Sequence, residues 1–164
     1  MNMEHDAEWE QKSKGLFHLF ILLVTGTLVG LIVSFGSLRF IYNRIENKEA
    51  IQSVWRAFST NFTLESIFIC INIFLLLGLL WSYRTDFKKT KSPFLMGLIV
   101  FFIVLLGQSI LSFPMFNLIV SVLTIDAQVG FRYILLTYTS AVFTIIAHFF
   151  ETIALIILFH LSNE

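Results

Sequence analysis

The sequence predicts an all-α integral membrane protein: a bundle of four spanning helices, with an amphipathic interfacial helix between spans one and two. Three observations carry this expectation. Of the 164 residues, 57% are hydrophobic and 13% charged, where soluble domains hold roughly 45–50% and about 25%. The apolar residues are gathered into four runs, each near the 20 or so residues that cross a hydrocarbon core of roughly 30 Å. Outside those runs too little chain remains for a second folded core, so residues 1–14 read as a polar tail and 15–164 as a single membrane domain.

Span one covers about 15–36 (GLFHLFILLVTGTLVGLIVSFG), without an acid, Lys or Arg. The tail before it carries Glu4, Asp6, Glu8 and Glu10. The run is longer than a signal-peptide core and lacks a small-residue cleavage site, so it reads as a retained span. Gly26, Gly30 and Ser34 recur every four residues on one face. In lipid, helices associate by close backbone approach at small residues, so this ladder reads as a contact seam, within the chain or between copies.

From Ser37 to Asn61, Ile41, Ile45, Ile51, Trp55 and Phe58 return at near-helical spacing among charges. That pattern predicts an amphipathic helix which lies on the membrane or prolongs span one. Asn61, Phe62 and Thr63 match a glycosylation sequon, but it abuts span two and the motif is common by chance. It carries no functional weight.

Span two, 62–83, holds Glu65 near its start and Asn72 seven residues on, hence on the same face, with Cys70 on another. Glu65 is expected to be solvated at the outer interface and Asn72 to bond a neighbouring helix. Arg84, Lys88, Lys89 and Lys91 then crowd a short loop with one acid, Asp86. Short basic loops are retained on the cytoplasmic side, which puts both termini of a four-span chain inside. Lys12 and Lys14 agree, whereas Arg39, Arg44, Lys48, Arg56 and Arg132 fall outside.

Span three, 94–113, carries Gly97 and Gly107 as further packing positions and Gln108 and Ser109 near its middle. Pro114 follows, and 115–125 is too short to cross again. The expectation is that it continues span three to about 125 past a bend rather than folding along the outer surface. Span four, 134–161, has a stripe of small and polar residues at steps of three and four: Thr137, Ser140, Ala141, Thr144, Ala147, His148, Glu151 and Ala154. This face, with Ser140 and Thr144 as packing positions, is expected to point into protein.

An acid at mid-span costs roughly 2.5–3.5 kcal/mol by insertion scales, so Glu151, three residues after His148, is the leading candidate for function. Three readings stay open for the pair. Glu151 is a hydrogen-bonded structural acid that fixes helix packing; or it relays a proton or cation with His148, since imidazole exchanges protons near neutrality; or His148 joins His18 or His160 on a haem or metal. The third is disfavoured, because His18 and His160 lie near the inner ends of their spans and His148 deeper by more than two helical turns. Asn72 and Gln108 are candidates to share a polar core with the pair.

Several classes are excluded. Eleven basic residues balance eleven acidic ones, so no net basic field recruits nucleic acid. The single cysteine rules out an internal disulfide and multi-cysteine metal sites. There is no Gly-rich phosphate loop, no paired-cysteine redox motif, no H-E-x-x-H and no Ser–His–Asp set facing one aqueous site. No cofactor or metal is expected.

The stretch YRTDFKKTKSPFLMGLIVFFIVLLGQSILSF and the closing FETIALIILFHLS resemble a pattern found in small uncharacterised archaeal membrane proteins and in membrane segments of some archaeal sensors. The resemblance covers spans two to four and implies a compact helical membrane module without known catalysis. The small multidrug transporters are also four-span chains with a buried Glu, but in their first span, where this chain has none. The expected role is therefore a non-catalytic accessory or assembly subunit of a larger complex in the cell membrane, whose partners are lipid and other integral subunits or itself. The alternative is a small homo-oligomeric proton or cation channel or transporter using Glu151 and His148.

Overall fold

A computed structural model describes residues 3–44, 52–113 and 142–162, with side chains within 15–43, 55–113 and 142–162. They form four helices: α1 (Met3–Arg44), α2 (Gln52–Thr90), α3 (Pro93–Leu111) and α4 (Val142–Leu161). Each contains a segment long and apolar enough to cross a membrane.

The helices outrun the hydropathy. With 42 and 39 residues, α1 and α2 are about 63 and 58 Å long, roughly twice a hydrocarbon core. The Glu, Gln and Lys residues ahead of span one are good helix formers, so α1 begins inside the polar tail. The segment expected to lie on the membrane or to prolong span one lengthens both spans. Its first part closes α1, its last part opens α2, and residues 45–51 lie outside the described residues.

Arg84, Lys88 and Lys89, expected in a loop, occupy the end of α2, where cations complement the negative pole of the helix. Just Lys91 and Ser92 separate α2 from α3. Lys91 takes a left-handed φ of 49°, and its N–H donates to the Phe87 carbonyl at 2.8 Å, which closes the helix as a C-terminal cap does. Ser92 is extended, and Pro93 opens α3 where no N–H is required. At the far end of α3 the Ser112 N–H donates to the Gln108 carbonyl at 2.9 Å. The expected continuation to 125 and the first part of span four, 134–141, lie outside the described residues.

The second helix is the hub. It runs antiparallel to α1, with Gly26 against Ile71 and Gly30 against Ile67, Ser34 bonded to Thr63 and Tyr42 beside Trp55. Every step up α1 is matched by an equal step back along α2. The short connection makes α3 antiparallel as well, with the rings of Tyr83 and Phe102 5.4 Å apart. By contrast α4 runs parallel to α2, since Phe68 meets Phe149, Asn72 meets Thr152 and Gly78 meets Phe159.

The core accordingly centres on α2: Ile71, Leu75, Leu76 and Leu79 pack with Phe102 of α3 and with Leu155 and Phe159 of α4. In their most apolar windows α2 is 50% buried, α1 and α3 11%. The outer three helices therefore give most of their apolar surface to the surroundings, among it Phe17, Ile32, Phe35, Val104, Phe143 and Phe150.

Candidate functional site

The parallel packing of α4 on α2 buries His148, Thr152, Leu155 and Phe159, whose steps of four, three and four trace one helix face. Opposite stands Asn72, fully buried. The Thr152 hydroxyl donates to Asn72 Oδ1 at 2.6 Å and lies 2.8 Å from the His148 carbonyl oxygen one turn back. The Asn72 amide approaches the same carbonyl at 3.5 Å. Asn72 and Thr152 thus satisfy each other across the interface, as polar groups removed from water must.

The side chain of His148 turns along its own helix. Its Nδ1 lies 3.1 Å from Glu151 Oε2, with the two side chains 8% and 21% exposed. Residues three apart are surface neighbours on a helix, so the spacing alone sets up the contact. Either the imidazole N–H donates to a carboxylate or a carboxylic acid donates to the ring nitrogen, so one proton can be held at either atom. Glu151 Oε1 is shielded from solvent and has no hydrogen-bond partner among the described residues.

The other expected residues are distributed differently. Gln108 is exposed and does not join the cluster. Here α3 meets α2 through Phe102 and Ser109, seven residues apart on one face, and Gln108 projects about 100° away from that face. Ser109 bonds its own helix, donating to the Leu105 carbonyl at 3.0 Å. On α4 the buried stripe is rotated from the expected one, because Thr144, Ala147 and Ala154 are exposed; Ser140 lies outside the described residues. Glu65, expected at a solvated end, is buried, since α2 begins well before it. His18 and His160 are exposed near the ends of their apolar segments. Among the described residues no group of three or more His, Cys, Asp and Glu is placed to hold a metal ion.

The small-residue ladder of α1 packs within the chain. A Cβ on Gly26 would lie 2.8 Å from Ile71 Cα, and one on Gly30 2.7 Å from Ile67 Cα. Ser34 and Thr63 share a hydrogen bond of 2.7 Å. At Gly97 and Gly107, expected to pack likewise, a Cβ would meet nothing from another helix within 4 Å among the described residues, because they face away from α2. Two positions escaped the sequence reading. Thr152 had a signal, four residues after His148. Gly78, where a Cβ would lie 2.7 Å from Leu22 Cδ1 and 3.0 Å from Phe159 Cε2, had only its isolation in a leucine run.

Helical hub packing, four helices long and apolar enough to cross a bilayer and a polar cluster enclosed between two of them define an all-helical class of chain. Residues 61–163 match a family of unknown function, DUF8036, and the chain belongs to that family. The matched stretch holds α3, α4, most of α2 and every residue of the Asn72–His148–Glu151–Thr152 cluster. No curated protein matches the chain, and no solved structure does.

Proposed function

We propose that the chain is a non-catalytic accessory or assembly subunit of a larger membrane protein complex, integral to the cell membrane, with both termini in the cytoplasm. The observation that carries this reading is Gln108. It is exposed on α3, a helix apolar enough to span, at the height where α2 is most deeply buried. An amide facing hydrocarbon leaves donors and an acceptor without partners, and a second membrane helix supplies them. The likeness to small archaeal membrane modules without known catalysis fits a subunit of this kind. The alternating directions of α1, α2 and α3, with α4 parallel to α2, bring the start of α1 and the end of α4 to the side of the cationic α2 terminus, which supports a cytoplasmic side there, since basic segments favour it.

Purification in mild detergent with mass spectrometry of copurifying chains tests this. A stoichiometric integral partner should accompany the wild type and be lost from Gln108→Leu. A wild type that comes down alone overturns the reading.

A second reading, a homo-oligomeric proton or cation pathway, is favoured by one observation: Glu151 Oε1 is buried beside the His148 imidazole without a hydrogen bond among the described residues. Proteoliposome flux that is abolished by Glu151→Gln would support it. Flux unchanged by that substitution would remove it.

A further inference from the structure

The terminus of α2 and the first turns of α3 present contradictory surfaces at one height. Arg84 and Lys88, one turn apart and so on one face, are exposed, and Lys91 follows at the connection, exposed as well. Among the described residues no acid pairs with these three; Asp86, the acid within this stretch, meets Lys89 at 3.7 Å. Tyr83 packs beside Phe102 and two residues join the helices, so the turns from Phe94 to Phe101 stand alongside these cations. There α3 exposes Phe94 by 75%, Met96 by 57% and Phe101 by 52%.

Water would solvate the cations and not the rings; hydrocarbon would do the reverse. The two helices cannot separate the conflict, because their connection is too short. The boundary where lipid phosphates meet acyl chains satisfies both, with long Lys and Arg side chains reaching out to the phosphates. Trp81, 76% exposed, stands one turn inward of Arg84, as interfacial Trp residues do. We infer that this end of the α2–α3 hairpin binds the phosphate of anionic phospholipids through Arg84 and Lys88, with Lys91 adding charge and the acyl chains lying along the exposed turns of α3. Guanidinium is suited to the task because it donates two parallel hydrogen bonds to one phosphate.

The inference rests on the hairpin and not on the assembly role, so it can fail or stand independently of it. The full chain, purified and delipidated in detergent, is titrated with phosphatidylglycerol or with phosphatidylcholine of the same acyl chains, and bound lipid is counted by native mass spectrometry. At about fivefold per cation, the three cations should give the wild type a preference for phosphatidylglycerol of about 125-fold, and R84Q/K88Q, which keeps Lys91, should reduce that preference to about fivefold. Circular dichroism should show unchanged helix content, and Arg84→Lys, which keeps the charge, should retain a preference. If the double variant does not fold, Lys88→Gln alone should lower the preference about fivefold. A wild type that binds both lipids equally, a folded R84Q/K88Q whose preference is as large as the wild type's, or displacement of the lipid by millimolar inorganic phosphate would each overturn the inference.

Discussion

At Gly30 the backbone of α2 stands where a side chain would begin, and the same is true at Gly26. Both close neighbours are Cα atoms, of Ile67 and Ile71, not the ends of flexible side chains, so a substitution is relieved only by moving a helix. Gly30→Ala should cost about 1–3 kcal/mol, the usual penalty of overpacking, seen as a lower melting temperature in detergent. Because the ladder faces α2 of the same chain, Gly30→Leu reports on the chain's own fold and not on its association with another. A second test concerns Asn72 and Thr152. Asn72→Ala and Thr152→Val should each destabilise by about 1 kcal/mol, and the double variant by less than their sum, because each leaves the other's partner unmet. Additive losses would show that the 2.6 Å bond couples nothing. At this scale the sequence was informative where spacing alone decides the contact, as for His148 and Glu151. It misplaced Gln108, expected in the polar core and found exposed, because its direction depends on which side of α3 meets α2.

At the scale of elements, the α2–α3 connection is held by a residue in an unfavourable conformation. A left-handed φ costs an L-residue roughly 1–2 kcal/mol, and Lys91 adopts one at the position where helices most often place Gly. Lys91→Gly should therefore raise stability by about 1 kcal/mol, and Lys91→Val should lower it, as read by thermal unfolding of the detergent-solubilised chain. The spans themselves were legible because hydropathy reports what hydrocarbon tolerates. Helix ends were not, because helix formation continues through Glu, Lys and Gln. Nor was the rotation of α4. In lipid a Leu or Phe is as content outside as inside, so Leu155 and Phe159 take the buried face while Ala147 and Ala154 do not.

For the whole molecule, everything described depends on α2. In hydrogen exchange of the detergent-solubilised chain, amides from about Phe62 to Leu79 should be the slowest, and those of α3 should open at lower free energy, since among the described residues α3 packs closely against α2 alone. Uniform protection across the four helices would contradict the hub arrangement. Such centrality has no signature in a single sequence: α1, α2 and α3 have similar mean hydropathy, 2.5, 2.2 and 2.6, while their burial differs several-fold. The one hint was polar. Glu65, Asn72 and Cys70 sit in one span, more hetero-atoms than hydrocarbon readily surrounds.

The matched register of α1 and α2 also orders events during synthesis. Its pairs are nested, from Tyr42 with Trp55 outward to Gly26 with Ile71, so each contact shortens the loop that the next must close. By contrast the bond from Asn72 to Thr152 joins residues 80 apart and waits for almost the whole chain. The α1–α2 hairpin can zip shut while the ribosome is still making α3, leaving α2 with one flank occupied and the other ready to receive α4.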